Sequence, residues 1–379
     1  MHRLVSARLC IAMLLLGTSA LALANAPSNA SGDFAYAEPY LETVGEAESI
    51  PLRAVAAQLQ DDQGLLWIGT QFGLLRFDGY RFRTFVHNSR DPQSLAGDYV
   101  QCLWLGPDRK LWIGTSSDGL SVLDLRTELF ENFRHDAASA AGLSAGPIWA
   151  LAGDARGGLW IGTNHGLDYL PAGSKAFKHF ALEPVRSLLF DTQDVLWVGT
   201  VEGLKRLRDP ESGFEAIASD LKDPQSLAGQ EIGVLFEAAD RKIWLGTRER
   251  GAAWLDPRTR QLHWLAGELA PALAQPRISA IAQPQSEQIW LASYGAGIDI
   301  VAADDGRLLQ RLRHDPFIPS SLAIDQVHSL FRDRSGLLWV GTGGGGLQRH
   351  DPRNRAFRML RHSPVRSQWF VLDPARKAA

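Results

Sequence analysis

The chain has 379 residues, 45% of them hydrophobic, with 36 glycines, 12 tryptophans and a net charge of −3. That is enough apolar material for a large core, and the near-neutral balance excludes a broad basic field for holding nucleic acid. Apart from a leader-like start, no apolar run reaches the length of a membrane-spanning helix.

The first predicted element is that leader. His2, Arg3 and Arg8 precede the apolar run Leu9–Leu16 and the small-residue stretch Gly17–Ala24, which ends in Ala22-Leu23-Ala24. This is the pattern of a secretory signal peptide, so residues 1–24 are expected to be removed after Ala24 and the protein to be exported. Cys10 goes with it, leaving Cys102 alone in an apolar strand, where it reads as a small buried hydrophobe. Residues 25–49 form an N-terminal segment whose stretch Tyr36–Val44 is suited to act as a ring-closing strand.

From residue 50 to residue 362 one unit recurs seven times. Its marker is Leu-Trp-Ile-Gly-Thr or a close variant, with Trp67, Trp112, Trp160, Trp197, Trp244, Trp290 and Trp339 spaced by 45, 48, 37, 47, 46 and 49 residues. Before each marker lies an apolar strand: Leu52–Leu59, Val100–Leu105, Ile148–Leu151, Val185–Phe190, Ile232–Phe236, Ile278–Ile281 and Val327–Phe331. Between the two sits a polar turn such as Asp61-Asp62-Gln63-Gly64. After each marker come a third strand, as at Gly73–Phe77, and a fourth, as at Phe82–Val86. For the seventh unit the fourth strand is expected from Phe357–Arg361 or from the N-terminal segment. Four antiparallel strands per unit at this period predict an all-β chain folded as a seven-bladed β-propeller. Residues 363–379 are expected to be a loose tail.

The marker strand carries its own reason for stacking. Period 2 puts Trp67 and Gly69 on one face and Leu66, Ile68 and Thr70 on the other, so both faces suit a sheet covered by neighbours. A buried indole removes about 150–250 Å² from water, worth roughly 4–6 kcal/mol gross at about 25 cal/mol per Å². The seven tryptophans are therefore assigned to packing rather than to a sugar platform. Asp91-Pro92-Gln93-Ser94-Leu95 recurs as Asp223–Leu227 and loosely as Asp315–Leu322. In these linkers a leucine can pin the connection to the ring.

The units at Asp61–Leu74, Asp154–Leu167 and Asp333–Thr342, with Phe77-Asp78-Gly79-Tyr80-Arg81-Phe82, resemble the two-component regulator propeller family, across residues 50 to about 362. The resemblance implies a periplasmic sensor propeller, the input domain of hybrid histidine kinases and related signalling proteins, with an oligosaccharide or other nutrient as ligand. The chain stops after the seventh marker without a kinase, cyclase or receiver motif. The expectation is a sensor lacking its own output module. Its partners are then a small molecule or glycan and either a separate membrane signalling protein or a second copy.

In a propeller, second-to-third strand turns and blade connections converge on one face. The turns contribute Gln71, Phe72, Asp118, Asn164, His165, Glu202, Arg248, Glu249, Arg250 and Tyr294; the starts of the first strands contribute Arg53, Tyr99, Trp149, Glu231, Arg277 and Gln326. From these the candidate ligand-binding set is Arg53, Tyr99, Trp149, His165, Glu202, Glu231, Arg248, Arg277, Tyr294 and Gln326. Aromatic rings for sugar CH faces and polar groups for hydroxyls fit a glycan. No catalytic residue, cofactor or metal site is assigned, since no H-E-x-x-H or paired-cysteine spacing occurs. Two alternatives remain. A propeller lyase or hydrolase, with a histidine and a glutamate facing the channel, would be favoured by His165 meeting Glu202 or Glu231. A protein-interaction scaffold would require a broad apolar patch.

Overall fold

The computed structural model describes residues 39–45, 49–50, 54–208, 213–220, 222–223, 225–265 and 277–354. Residues 1–24, Arg53, Phe357–Arg361 and the tail 363–379 lie outside the described residues. Within them the chain is all β: seven four-stranded antiparallel sheets arranged as the blades of a propeller.

In blades 1 to 6 the four strands follow chain order from the axis outward. The innermost strands are Val55–Gln60, Val100–Leu105, Ile148–Gly153, Val185–Phe190, Ile232–Glu237, Ile278–Gln285 and, in blade 7, Val327–Arg332. They lie side by side around the ring, and that of blade 7 rests against that of blade 1. Blade 7 is built from both ends of the repeat region. Its outermost strand is Glu42–Val44, paired antiparallel with Leu347–His350. Leu41 N donates to Ser320 O at 3.0 Å, and the Leu41 side chain is buried with Leu312 and Leu322. His350 Nδ1 donates to Tyr40 O at 3.0 Å, and Arg349 pairs with Glu42 at 2.8 Å. An early strand is thus fastened to the last blade, so opening the ring would break backbone pairing as well as packing.

The marker strands are the walls between blades. All five residues of Leu66–Thr70, Leu159–Thr163, Leu196–Thr200, Ile243–Thr247 and Leu338–Thr342 are buried. The marker glycine has a steric role. A Cβ on Gly69 would lie 2.6 Å from Val100 Cγ1, one on Gly114 2.6 Å from Ile148 Cγ2, and one on Gly162 2.7 Å from Val185 Cγ1. Each hollow receives the β-branched residue that opens the next blade's innermost strand. Blade 6 has Ala292 there, buried in one cluster with Val327. Six marker tryptophans are buried, and Trp112 is half-buried, stacked on Phe133 at 5.9 Å.

In blades 1, 3, 4 and 7 an aspartate six residues before the tryptophan ties turn to wall. Trp67 Nε1 donates to Asp61 Oδ2 at 2.9 Å, while Asp61 Oδ1 accepts from the amides of Gln63 and Leu65. Asp154, Asp191 and Asp333 do the same for Trp160, Trp197 and Trp339. The linkers follow a second rule. His87, His135 and His314 each direct Nδ1 to the carbonyl eight residues on, that of Leu95, Leu143 and Leu322, at 2.7–2.9 Å. Those leucines are buried, so these histidines hold connections in place. Cys102 directs its thiol to Ile148 O in the next blade, and burial pushes its pKa up to about 12, so it is an unreactive thiol at neutral pH.

Candidate functional site

Each innermost strand begins opposite the threonine or serine that ends the marker strand, as Val55 opposite Thr70 and Val327 opposite Thr342. The starts of the innermost strands and the second-to-third strand turns therefore share one face. The threonine builds the turn: Thr70 Oγ1 donates to Gly73 O at 2.8 Å and accepts from Phe72 N at 3.0 Å. The residue after that threonine or serine then docks on the approach to its own blade's innermost strand. Ser116 N donates to Tyr99 O, Arg248 N to Glu231 O, Tyr294 N to Arg277 O and Gly343 N to Gln326 O, at 2.8–3.1 Å.

All seven innermost strands slip register at their second residue. A bulge inserts one unpaired residue and re-aims its side chain. The residues so placed are Ala56, Gln101, Trp149, Arg186, Gly233, Ser279 and His328. This corrects the alignment of strand starts made on sequence. Tyr99, Glu231, Arg277 and Gln326 are equivalent, each just before its strand, and their counterpart in blade 1 is Ala54, not Arg53. Trp149 sits two positions further on, at the bulge.

The structure joins several of these side chains across blades. Trp149 Nε1 donates to Asn164 Oδ1 at 2.9 Å, and the Arg186 guanidinium lies 4.9 Å from the Trp149 ring centre. Arg186 Nη1 also donates to Asn164 Oδ1 at 2.8 Å, and its Nε to Glu231 Oε1 at 3.2 Å. Arg248 reaches the other oxygen of Glu231 at 3.3 Å. One carboxylate thus orients two guanidinium groups beside an indole, over blades 3, 4 and 5. A second group covers blades 6 and 7. Arg277 stacks on Tyr294 at 4.3 Å, and the other partner of Tyr294 is His328, with ring centres 5.0 Å apart and planes 8° from parallel. Burial, aided by the charge of Arg277, lowers the pKa of His328 below its usual value, so its ring is neutral at pH 7. Its Nε2 then accepts from Gln326 Nε2 at 3.2 Å. Gly343 allows this approach, because a Cβ there would lie 2.6 Å from His328 Nε2.

Not every candidate joins. Tyr99 is exposed, and among the described residues its hydroxyl is met by Gln71, at 3.5 Å. His165 and Glu202 are exposed turn residues held through their backbone amides to Thr163 and Thr200. No hydrogen bond or ion pair links His165 to Glu202 or Glu231 among the described residues. Ser144, Asp168 and His179 do assemble in blade 3, but Ser144 Oγ and Asp168 Oδ1 both contact the same ring atom, His179 Nδ1, at 3.3 and 2.7 Å. A relay needs the two on opposite ring nitrogens. Asp168 instead holds the linker amide of Ser144, as Ser121 holds Ala96 and Gln348 holds Ala323 in other blades. The described residues contain no group of three or more His, Cys, Asp or Glu able to hold a metal.

Two participants escaped the sequence reading, Arg186 and His328, and Asn164 was noted only as a turn residue. The signal that would find them is positional: the second residue of each first strand is unlike from blade to blade, within otherwise apolar strands.

A family model described as two component regulator propeller matches residues 142–165 and 321–344. No curated protein is matched by the chain. Among solved structures, the extracellular domain of the putative hybrid two component system BT3049 from B. thetaiotaomicron superposes with a TM-score of 0.70 at 22% identity. The match covers 82% of this chain and 42% of that one. The corresponding domain of BT4673 gives 0.68 at 23%, covering 82% and 39%. The chain therefore spans about two-fifths of those two domains. Virginiamycin B lyase from Staphylococcus aureus gives 0.61 at 12%, covering 82% and 98%. Identities this low establish a shared fold.

Proposed function

We propose that this chain, which carries two-component regulator propeller repeats, is the ligand-receiving propeller of an exported bacterial signalling sensor, with a hydroxyl-rich small molecule such as an oligosaccharide as its ligand. The observation that carries the reading is the bulge repeated in every innermost strand. It turns seven different residues out of seven near-identical frames on one face. Unlike side chains on a repeated frame suit an asymmetric ligand. The face offers Trp149, Tyr294 and the neutral His328 as ring surfaces, with Arg186, Glu231, Arg248 and Gln326 as hydrogen-bonding groups.

Export follows from the signal-peptide pattern of residues 1–24 and fits a likeness to extracellular domains. In this reading a membrane signalling protein carries the output, and the propeller supplies the ligand-dependent input. The sensor reading stands ahead of an enzyme because the convergence that would favour a propeller lyase or hydrolase, His165 with Glu202 or Glu231, does not occur among the described residues, and Glu231 is engaged by two arginines.

Calorimetric titration of the purified protein with a panel of plant, host and microbial oligosaccharides tests this. One class is expected to bind at a single site, with Trp149→Ala and Arg186→Ala each weakening it tenfold or more, since each removes a stacking surface or a charged hydrogen bond. A silent panel, or binding indifferent to both variants, would overturn the assignment.

A further inference from the structure

The innermost strands run from the candidate site to the opposite face. There the ends of those in blades 5, 6 and 7 bound a second concavity, of about 640 Å³. Its wall is apolar, made by Phe236, Ile281, Leu330 and Phe331, and its rim is formed by Arg332 and Arg334.

The charges at this rim do not balance. Asp333, which also lines the concavity, is spent: Oδ2 takes the indole N–H of Trp339, and Oδ1 takes the Leu337 amide and the Ser335 hydroxyl. Glu237, next to Phe236, is held by the amide and hydroxyl of Thr192 and by Arg241. Arg334 Nε donates to the neutral amide oxygen of Gln60 at 3.3 Å. Neither Arg332 nor Arg334 forms an ion pair among the described residues. Gln283, the remaining polar lining residue, has both amide atoms engaged, Oε1 accepting from Ala239 N and Nε2 donating to Ser286 O. A polyol placed here would find polar partners mainly at the arginine rim and would leave its other hydroxyls against the apolar wall.

We propose that this concavity is a second binding site, distinct from the glycan-suited face, and that it takes an amphipathic anion: an apolar chain or ring bearing a carboxylate. The volume is that of a small-molecule site. The apolar body covers the part-exposed Phe236, Leu330 and Phe331, and the carboxylate supplies the counter-charge to Arg332 and Arg334, through charge-assisted hydrogen bonds from a planar guanidinium.

Calorimetry on the whole protein with octanoate, decanoate and decanol as probes tests it. Decanoate is expected to bind with a stoichiometry of one, about fourfold tighter for each methylene added from octanoate, and at least tenfold tighter than decanol. The double substitution Arg332→Gln and Arg334→Gln should weaken decanoate about tenfold or more and leave decanol unchanged. Both arginines are exposed, so the variant keeps its fold, checked by an unchanged melting temperature. No saturable binding, equal affinity for decanoate and decanol, or decanoate binding unchanged in the double variant would overturn the proposal.

Discussion

Blades 1, 3, 4 and 7 differ from blades 2, 5 and 6 at one position. The first group has an aspartate six residues before the marker tryptophan, and the second has Gly106, Ala238 and Pro284 there. In blades 5 and 6 the price is visible: Trp244 Nε1 and Trp290 Nε1 are buried with no hydrogen-bond partner among the described residues. In blade 2 the tryptophan is instead half-buried. Yet all seven blades keep the same four-stranded pairing. Packing of the indole against the neighbouring blade is thus enough to form a blade. The aspartate adds a separate element that braces the first turn and satisfies the indole N–H.

Removing a brace should have the largest effect. Asp61→Ala strips acceptors from two backbone amides and a buried indole at once and is expected to cost about 3 kcal/mol in urea unfolding. A loss below about 1 kcal/mol would mean that the brace is incidental. The wall itself is probed by Gly162→Ala, whose Cβ would press on Val185 Cγ1 at 2.7 Å. We expect a loss of about 2 kcal/mol, whereas Ala292→Gly in blade 6 should cost no more than about 1 kcal/mol; equal losses at the two sites would erase the distinction between blades. Supplying the missing acceptor, Ala238→Asp, should stabilise blade 5 by about 1 kcal/mol, and a new hydrogen bond should shift the Trp244 indole proton in NMR spectra. The smallest effect is expected at Arg241, which holds a positive φ of 71° in the unbraced turn of blade 5, where three of the four braced turns have Gly64, Gly157 and Gly336 and the fourth has Asp194 at a φ of 60°. Arg241→Gly should raise stability by about 0.5–1 kcal/mol, and a decrease would show that its pairing with Glu237 outweighs the strain.

The frame was largely legible from the chain. Seven markers at near-constant spacing locate the marker strands, since a fully apolar five-residue strand with Trp and Gly alternating has to be covered on both faces. The linker leucines were readable as structural because their linker recurs, and His87, His135 and His314 carry the same signal, each standing eight residues before such a leucine. The site was less legible. Residues were assigned to it by nearness to a strand start, which picked out Glu231, Arg277 and Gln326 correctly as equivalents but set Trp149 beside them and passed over Arg186 and His328. A one-residue bulge changes which side chain is re-aimed, and bulges carry no local signature when the residue involved is as varied as Trp, Arg, Gly and His.

Local sequence alone determined the number of blades, the order of strands within blades 1 to 6 and the face on which unlike residues collect, because periodicity and turn chemistry act over a few residues. Tertiary structure decided the rest. It brought Glu42–Val44 onto Leu347–His350 across some 300 residues, let Glu231 of blade 5 hold Arg186 of blade 4, and left Arg332 and Arg334 with no ion pair among the described residues at the far end of the axis. These outcomes depend on which side chains the closed ring sets within a few ångströms of one another, and no spacing along the chain encodes that distance.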